Sequence, residues 1–120
     1  MKILQQLHLQ YALRAGLILM AIAYAPITGC APQLYQPSNA HAAWAAEKYA
    51  APVTVSGLEE GRTLYTQYCA TCHYLHMPKE FTIAEWNTIY PVMADKLSVA
   101  DSTRQKIMYY VMAGARDAGK

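Results

Sequence analysis

Phenylalanine is nearly missing from this 120-residue chain, occurring once against ten tyrosines. Charge is also scarce, at 15% of residues, while apolar residues make up 54%. That balance excludes a wholly disordered chain, which needs low hydrophobicity and high charge. The formal net charge is only +2, with the basic residues scattered. A nucleic-acid-binding surface, which needs a basic patch, is not expected. Cysteines number three, an odd set that cannot make a complete disulfide framework. No alternating strand pattern, nucleophile constellation or acid–base pair is visible, so an enzyme is not expected. The length suits one small domain.

No acidic residue occurs before Glu47, whereas Lys2 and Arg14 supply positive charge early. Between them and Pro26 lies an apolar run from Ala15 to Ala25. It is too short to span a bilayer as a helix but suits the core of an export signal. The following Ile27-Thr28-Gly29-Cys30 resembles the bacterial lipobox, in which a small residue precedes the lipid-bearing cysteine. That resemblance implies a signal peptide over 1–29 and a lipid on Cys30. Ala31 then implies an outer-membrane rather than inner-membrane address. Two alternatives stay open. Ala40-His41-Ala42 fits a small-x-small cleavage site and a soluble product, and the leader could instead remain as an uncleaved anchor. Removing Lys2 and Arg14 leaves eight basic residues against eight acidic, so the mature chain is neutral.

Residues 30–56 hold Pro32, Pro37 and Pro52 among many alanines, without an apolar period. They read as a lipidated N-terminus and flexible tether, with room for a short helix near Ala42–Ala50. As a coil the tether would span roughly 25–30 Å on average. The folded domain is expected over 57–117 and is all-α. Its helix starts are predicted at Ser56…Glu59, Thr82…Glu85 and Ser98…Asp101, where a Ser or Thr is followed three residues later by an acid. Helical spacing then links Leu58, Gly61, Tyr65 and Tyr68. It links Ile83, Trp86, Tyr90, Met93 and Leu97 in the second helix, and Val99, Thr103, Ile107, Tyr110 and Gly114 in the third. Pro91 should bend the second helix or begin its last turn. About 60 residues bury little apolar surface, so such a domain needs a staple.

Cys69-Ala70-Thr71-Cys72-His73 supplies one, being the C-x-x-C-H arrangement of c-type haem attachment. Two thiols three residues apart each bond one vinyl group, and the adjoining imidazole becomes the proximal iron ligand. Competing readings are a thioredoxin-like pair, which wants a βαβ context, and a zinc site, which wants His76 as a fourth donor. Residues 57–117 resemble a small class I monohaem c-type cytochrome. The likeness rests on Gly61-x-x-x-Tyr65, Cys69-x-x-Cys72-His73, Leu75-x-x-Pro78, Trp86, Met93 and Ile107-x-x-Tyr110-Val111. It implies a three-to-four-helix domain around one covalent haem c. It also implies a crossing of the first and last helices at Gly61 and Tyr110, and a Pro78 carbonyl behind His73.

The sixth iron ligand is expected to be Met93. It stands 20 residues past His73 and corresponds to the family's methionine. Met108, Met112 and an open site remain alternatives, while His76 and Met77 lie too near His73 to travel round a porphyrin edge. Trp86 is expected as a pocket wall. The implied function is a periplasm-facing, membrane-tethered electron carrier whose partners are other redox proteins. The alternatives are a haem-based redox or gas sensor with an open sixth site, or the cytochrome subunit of a larger redox complex.

Overall fold

The computed structural model describes residues 33–117 together with Gln6. The expected leader over 1–29 and Cys30 thus fall outside the described residues, Gln6 apart. Among the described residues the protein is all-helical. Its helices are α1 (Asn39–Tyr49), α2 (Val55–Cys69), α3 (Ile83–Ala94) and α4 (Asp101–Ala115), with one 3₁₀ turn at Pro78–Glu80. None of them is long and apolar enough to cross a membrane.

The helix starts follow local chemistry. Thr54, not Ser56, caps α2 by accepting the Gly57 N–H at 3.1 Å. Thr82 and Glu85 form the expected reciprocal box: the Glu85 N–H donates to Thr82 Oγ1 (3.3 Å) and the Thr82 N–H to Glu85 Oε2 (2.8 Å). Ser98 caps nothing; α4 begins after Ala100, which has no side chain to contribute. Pro91 falls in the last turn of α3, and the helix ends at Ala94.

The stripe Leu58, Gly61 and Tyr65 of α2 is buried and crosses α4. A methyl group at Gly61 would overlap the Lys106 carbonyl oxygen and stand 2.9 Å from Tyr110 Cβ. Only glycine lets the two helix backbones approach this far. From Tyr110 to Ala115 every residue of α4 is buried. A helix apolar all round must be enclosed, and α1, α2, α3 and the 3₁₀ turn all pack on α4.

The segment expected as a flexible tether is instead part of this packing. Helix α1 rests on α2 and α4, burying Ala42 and Ala45 with Leu58 and Ala113. Small side chains at these positions let the helix lie close, so burial here leaves no stripe of large residues. Pro37 and Pro52 lie outside the helix, beyond Ser38 and Ala50 at its two ends. Ahead of α1, the Tyr35 ring stacks on Tyr110 with centroids 4.6 Å apart and planes within 5°. Its hydroxyl donates to the Tyr110 carbonyl (2.5 Å), and the Tyr110 hydroxyl donates to the Tyr35 carbonyl (3.3 Å). Ala40-His41-Ala42 thereby lies in the opening turn of a packed helix.

Candidate functional site

Helix α2 ends on Cys69, and the chain turns outward through Ala70, Thr71 and Cys72 before reaching His73. Helix α3 then returns past it. Between them lies a cleft of about 200 Å³, open to solvent at its mouth. Helix α2 contributes Tyr65 and Cys69; the connecting loop contributes His73, His76 and Phe81. Helix α3 adds Trp86, Ile89, Tyr90, Met93 and Ala94, and Leu97 closes the end.

The chain thus brings Cys69, His73 and Met93 to one cavity. Cys72 is exposed on the turn after α2 and does not line it. Met108 packs against the main core and Met112 is buried within it, so neither reaches the cleft. His41 belongs to α1, where its Nδ1 accepts the Ser38 N–H (3.1 Å) and its Nε2 faces Asp117 Oδ2 (3.2 Å).

Aromatic groups fix the cavity walls. Trp86 is 4% exposed and meets Phe81 edge-on at 5.3 Å. Its indole N–H donates to the Pro78 carbonyl at 2.7 Å. That carbonyl, expected behind His73, accepts from Trp86. The Tyr74 carbonyl lies 2.6 Å from His73 Nδ1 instead. A carbonyl partner requires the hydrogen on Nδ1, which in the neutral ring leaves Nε2 as the nitrogen able to bind a metal.

His76 shares the arrangement. Its Nδ1 lies 2.8 Å from Glu80 Oε2, and its ring centroid is 5.7 Å from that of His73. The sequence reading weighs His76 only as a metal donor, to zinc or on the far face of a porphyrin, and so misses it as a lining residue. The readable signal is Glu80, an acid four residues later. The Tyr65 hydroxyl donates to the His76 carbonyl at 2.8 Å, and the Tyr90 hydroxyl donates to the Arg104 carbonyl. Burial, with the neighbouring Cys69 second, pushes both phenols above their ordinary pKa and keeps them protonated donors. The Cys69 thiol is pushed up to about 11, first by burial and then by Cys72.

Two further observations concern the described residues. No strand is present to give Cys69 and Cys72 a βαβ context. No group of three or more His, Cys, Asp or Glu side chains gathers closely enough to hold a metal ion by itself. Exposed large apolar groups are Tyr74 (76% exposed), next to His73 in the chain, Val92 (57%) and the lining residue Met93 (42%). No protein-family model, curated protein or solved structure matches the chain.

Proposed function

We propose that the protein is a monohaem c-type electron carrier, exported as a lipoprotein and held by Cys30 at the periplasmic side of a membrane. The observation that carries this reading is the meeting of the C-x-x-C-H segment with Met93 in an apolar, aromatic-walled cleft. The residues fit the group chemically. Cys69 and Cys72 would hold it through thioethers, His73 offers an imidazole lone pair, and Met93 is the single methionine among the lining residues. When bound, the haem iron supplies one-electron chemistry between ferrous and ferric states. Trp86, Phe81, Ile89 and Leu97 exclude water, and a thioether ligand favours a higher potential than a second imidazole. Donor and acceptor would be other redox proteins meeting the cleft mouth in a small transient contact.

The test is covalent retention. The denatured protein should keep a haem spectrum with the chain, and a Cys69→Ala/Cys72→Ala double variant should lose it. Haem released from the wild-type chain by denaturation would overturn the reading.

The exposure of Met93, at 42%, favours one second reading, a redox or gas sensor with an open sixth site. It expects the reduced protein to take up carbon monoxide at once, whereas a His73/Met93 carrier should resist it.

A further inference from the structure

The packing of residues 34–49 changes what the anchor can do. The chain enters the domain at Gln33, which lines a shallow hollow with Lys79, Gly114 and Asp117. Tyr35 follows at once and fills the notch over Gly114, where an added methyl would collide with the tyrosine ring and lie 2.7 Å from Pro78 Cβ. Behind Tyr35 the strap is fastened twice more. Arg116 donates to the Ala40 carbonyl at 2.7 Å, and His41 Nε2 faces Asp117 at 3.2 Å. Only three peptide units separate Cys30 from Gln33, and they reach about 10 Å when fully extended. Helix α4 has 15 residues from Asp101 to Ala115, a length of roughly 22 Å. A leash of that reach cannot let the domain stand on the Asp101 end of α4 while Gln33 stays in its hollow at the far end. It holds the Gly114 end there instead.

We propose that the protein rests on the lipid surface by one end, the face formed by Gln33, Lys79 and the C-terminus of α4. This rests on the lipoprotein reading of Cys30 and adds an orientation to it. The exposed Lys79 side chain gives that face positive charge for anionic headgroups, while Asp117 is turned to His41 and Arg116. The strap also speaks against export cleavage at Ala40-His41-Ala42. Such a cut would remove Tyr35 from its notch and open α1, where Ala42 is only 7% exposed.

The test uses the full-length chain, processed in the cell envelope and placed in vesicles of phosphatidylethanolamine and phosphatidylglycerol containing nitroxide lipid. A fluorophore is attached at Lys79→Cys, beside Gly114, or at Gln105→Cys, in the first half of α4; both positions are exposed. The parent chain without either substitution gives the labelling background. Mass spectrometry of the N-terminal peptide reports acylation. With Cys30 acylated, the label at 79 should be quenched several-fold more than the label at 105. Inserting a flexible spacer of about 20 residues after Ala31, spanning roughly 25 Å, should erase the difference. Equal quenching in an acylated protein of native spacing overturns the orientation and leaves the lipoprotein reading standing. An N-terminal peptide without acyl chains at Cys30 overturns that reading and the orientation with it.

Discussion

Gly61 of α2 and Tyr110 of α4 meet so closely that a Cβ on the glycine would stand 2.9 Å from that of the tyrosine. The Lys106 carbonyl oxygen lies closer still, and backbone cannot swing aside as a side chain can. Gly61→Ala should therefore cost at least about 2 kcal/mol, at the upper end of overpacking effects. The usual helical gain of roughly 0.5–1 kcal/mol for Gly→Ala would be overwhelmed. Gly57 in the same helix has only Thr54 Oγ1 near it, at 3.3 Å. Gly57→Ala should cost clearly less. Urea unfolding of both variants checks this through the midpoint at unchanged slope; equal losses would contradict the crossing.

Tyr35 is the first large residue of the strap, and its removal should be felt throughout the domain. Tyr35→Ala empties the notch over Gly114 and unstacks Tyr110, at about 3 kcal/mol for an aromatic-to-alanine change. Tyr35→Phe keeps the ring and loses the bond to the Tyr110 carbonyl, at about 1 kcal/mol. Thermal unfolding should rank wild type, Phe, then Ala. An unaffected Ala variant would mean that residues 33–38 are a tether after all.

The α1 helix shows why part of the fold escaped the sequence. Its buried positions, Ala42 and Ala45, are small, so its periodicity carries almost no hydrophobic contrast. Prolines 37 and 52 read as breakers of structure, yet they mark the helix's two boundaries. The later helices were legible because Trp86, Ile107 and Tyr110 are large residues at helical spacing. The Thr82 box was legible because both partners are local. The bond from Trp86 to the Pro78 carbonyl could not be read locally, because the packing of α3 brings the indole to it. Cys69, His73 and Met93 were readable as types at a spacing. Their shared cleft depends on where α3 returns, which no local pattern states.

Acid should weaken the domain through two carboxylates. Glu85 is held below its ordinary pKa by the Thr82 N–H and then the Thr82 hydroxyl; Glu80 is lowered by the Met77 N–H and then His76. With folded values below unfolded ones, the folded state binds fewer protons. The stability they contribute is complete above the unfolded carboxylate range, about pH 4.3, and is lost as pH falls through the folded values. Stability measured from about pH 7 to 3 should fall less steeply in Glu85→Gln than in wild type. Identical slopes would contradict the cap's role. At neutral pH, Thr82→Ala should cost about 1 kcal/mol.

Cys69 and Cys72 should differ in reactivity in the haem-free chain. Cys69 is half-buried with its thiol pushed up to about 11, whereas Cys72 is exposed. Thiolate is the reactive form, so a haem-free chain treated with iodoacetamide near neutral pH should be alkylated first at Cys72. Peptide mapping over time reads the order; faster modification of Cys69 would contradict the burial of that wall of the cleft.

The most direct measurement is the far-red absorption spectrum of the ferric protein, recorded for wild type, Met93→Leu and Met108→Leu. The account predicts a sulfur-to-iron charge-transfer band in wild type and Met108→Leu that is absent from Met93→Leu, since Met93 lines the cleft and Met108 does not. A band that survives in Met93→Leu, or a wild-type protein without one, would contradict His73/Met93 ligation.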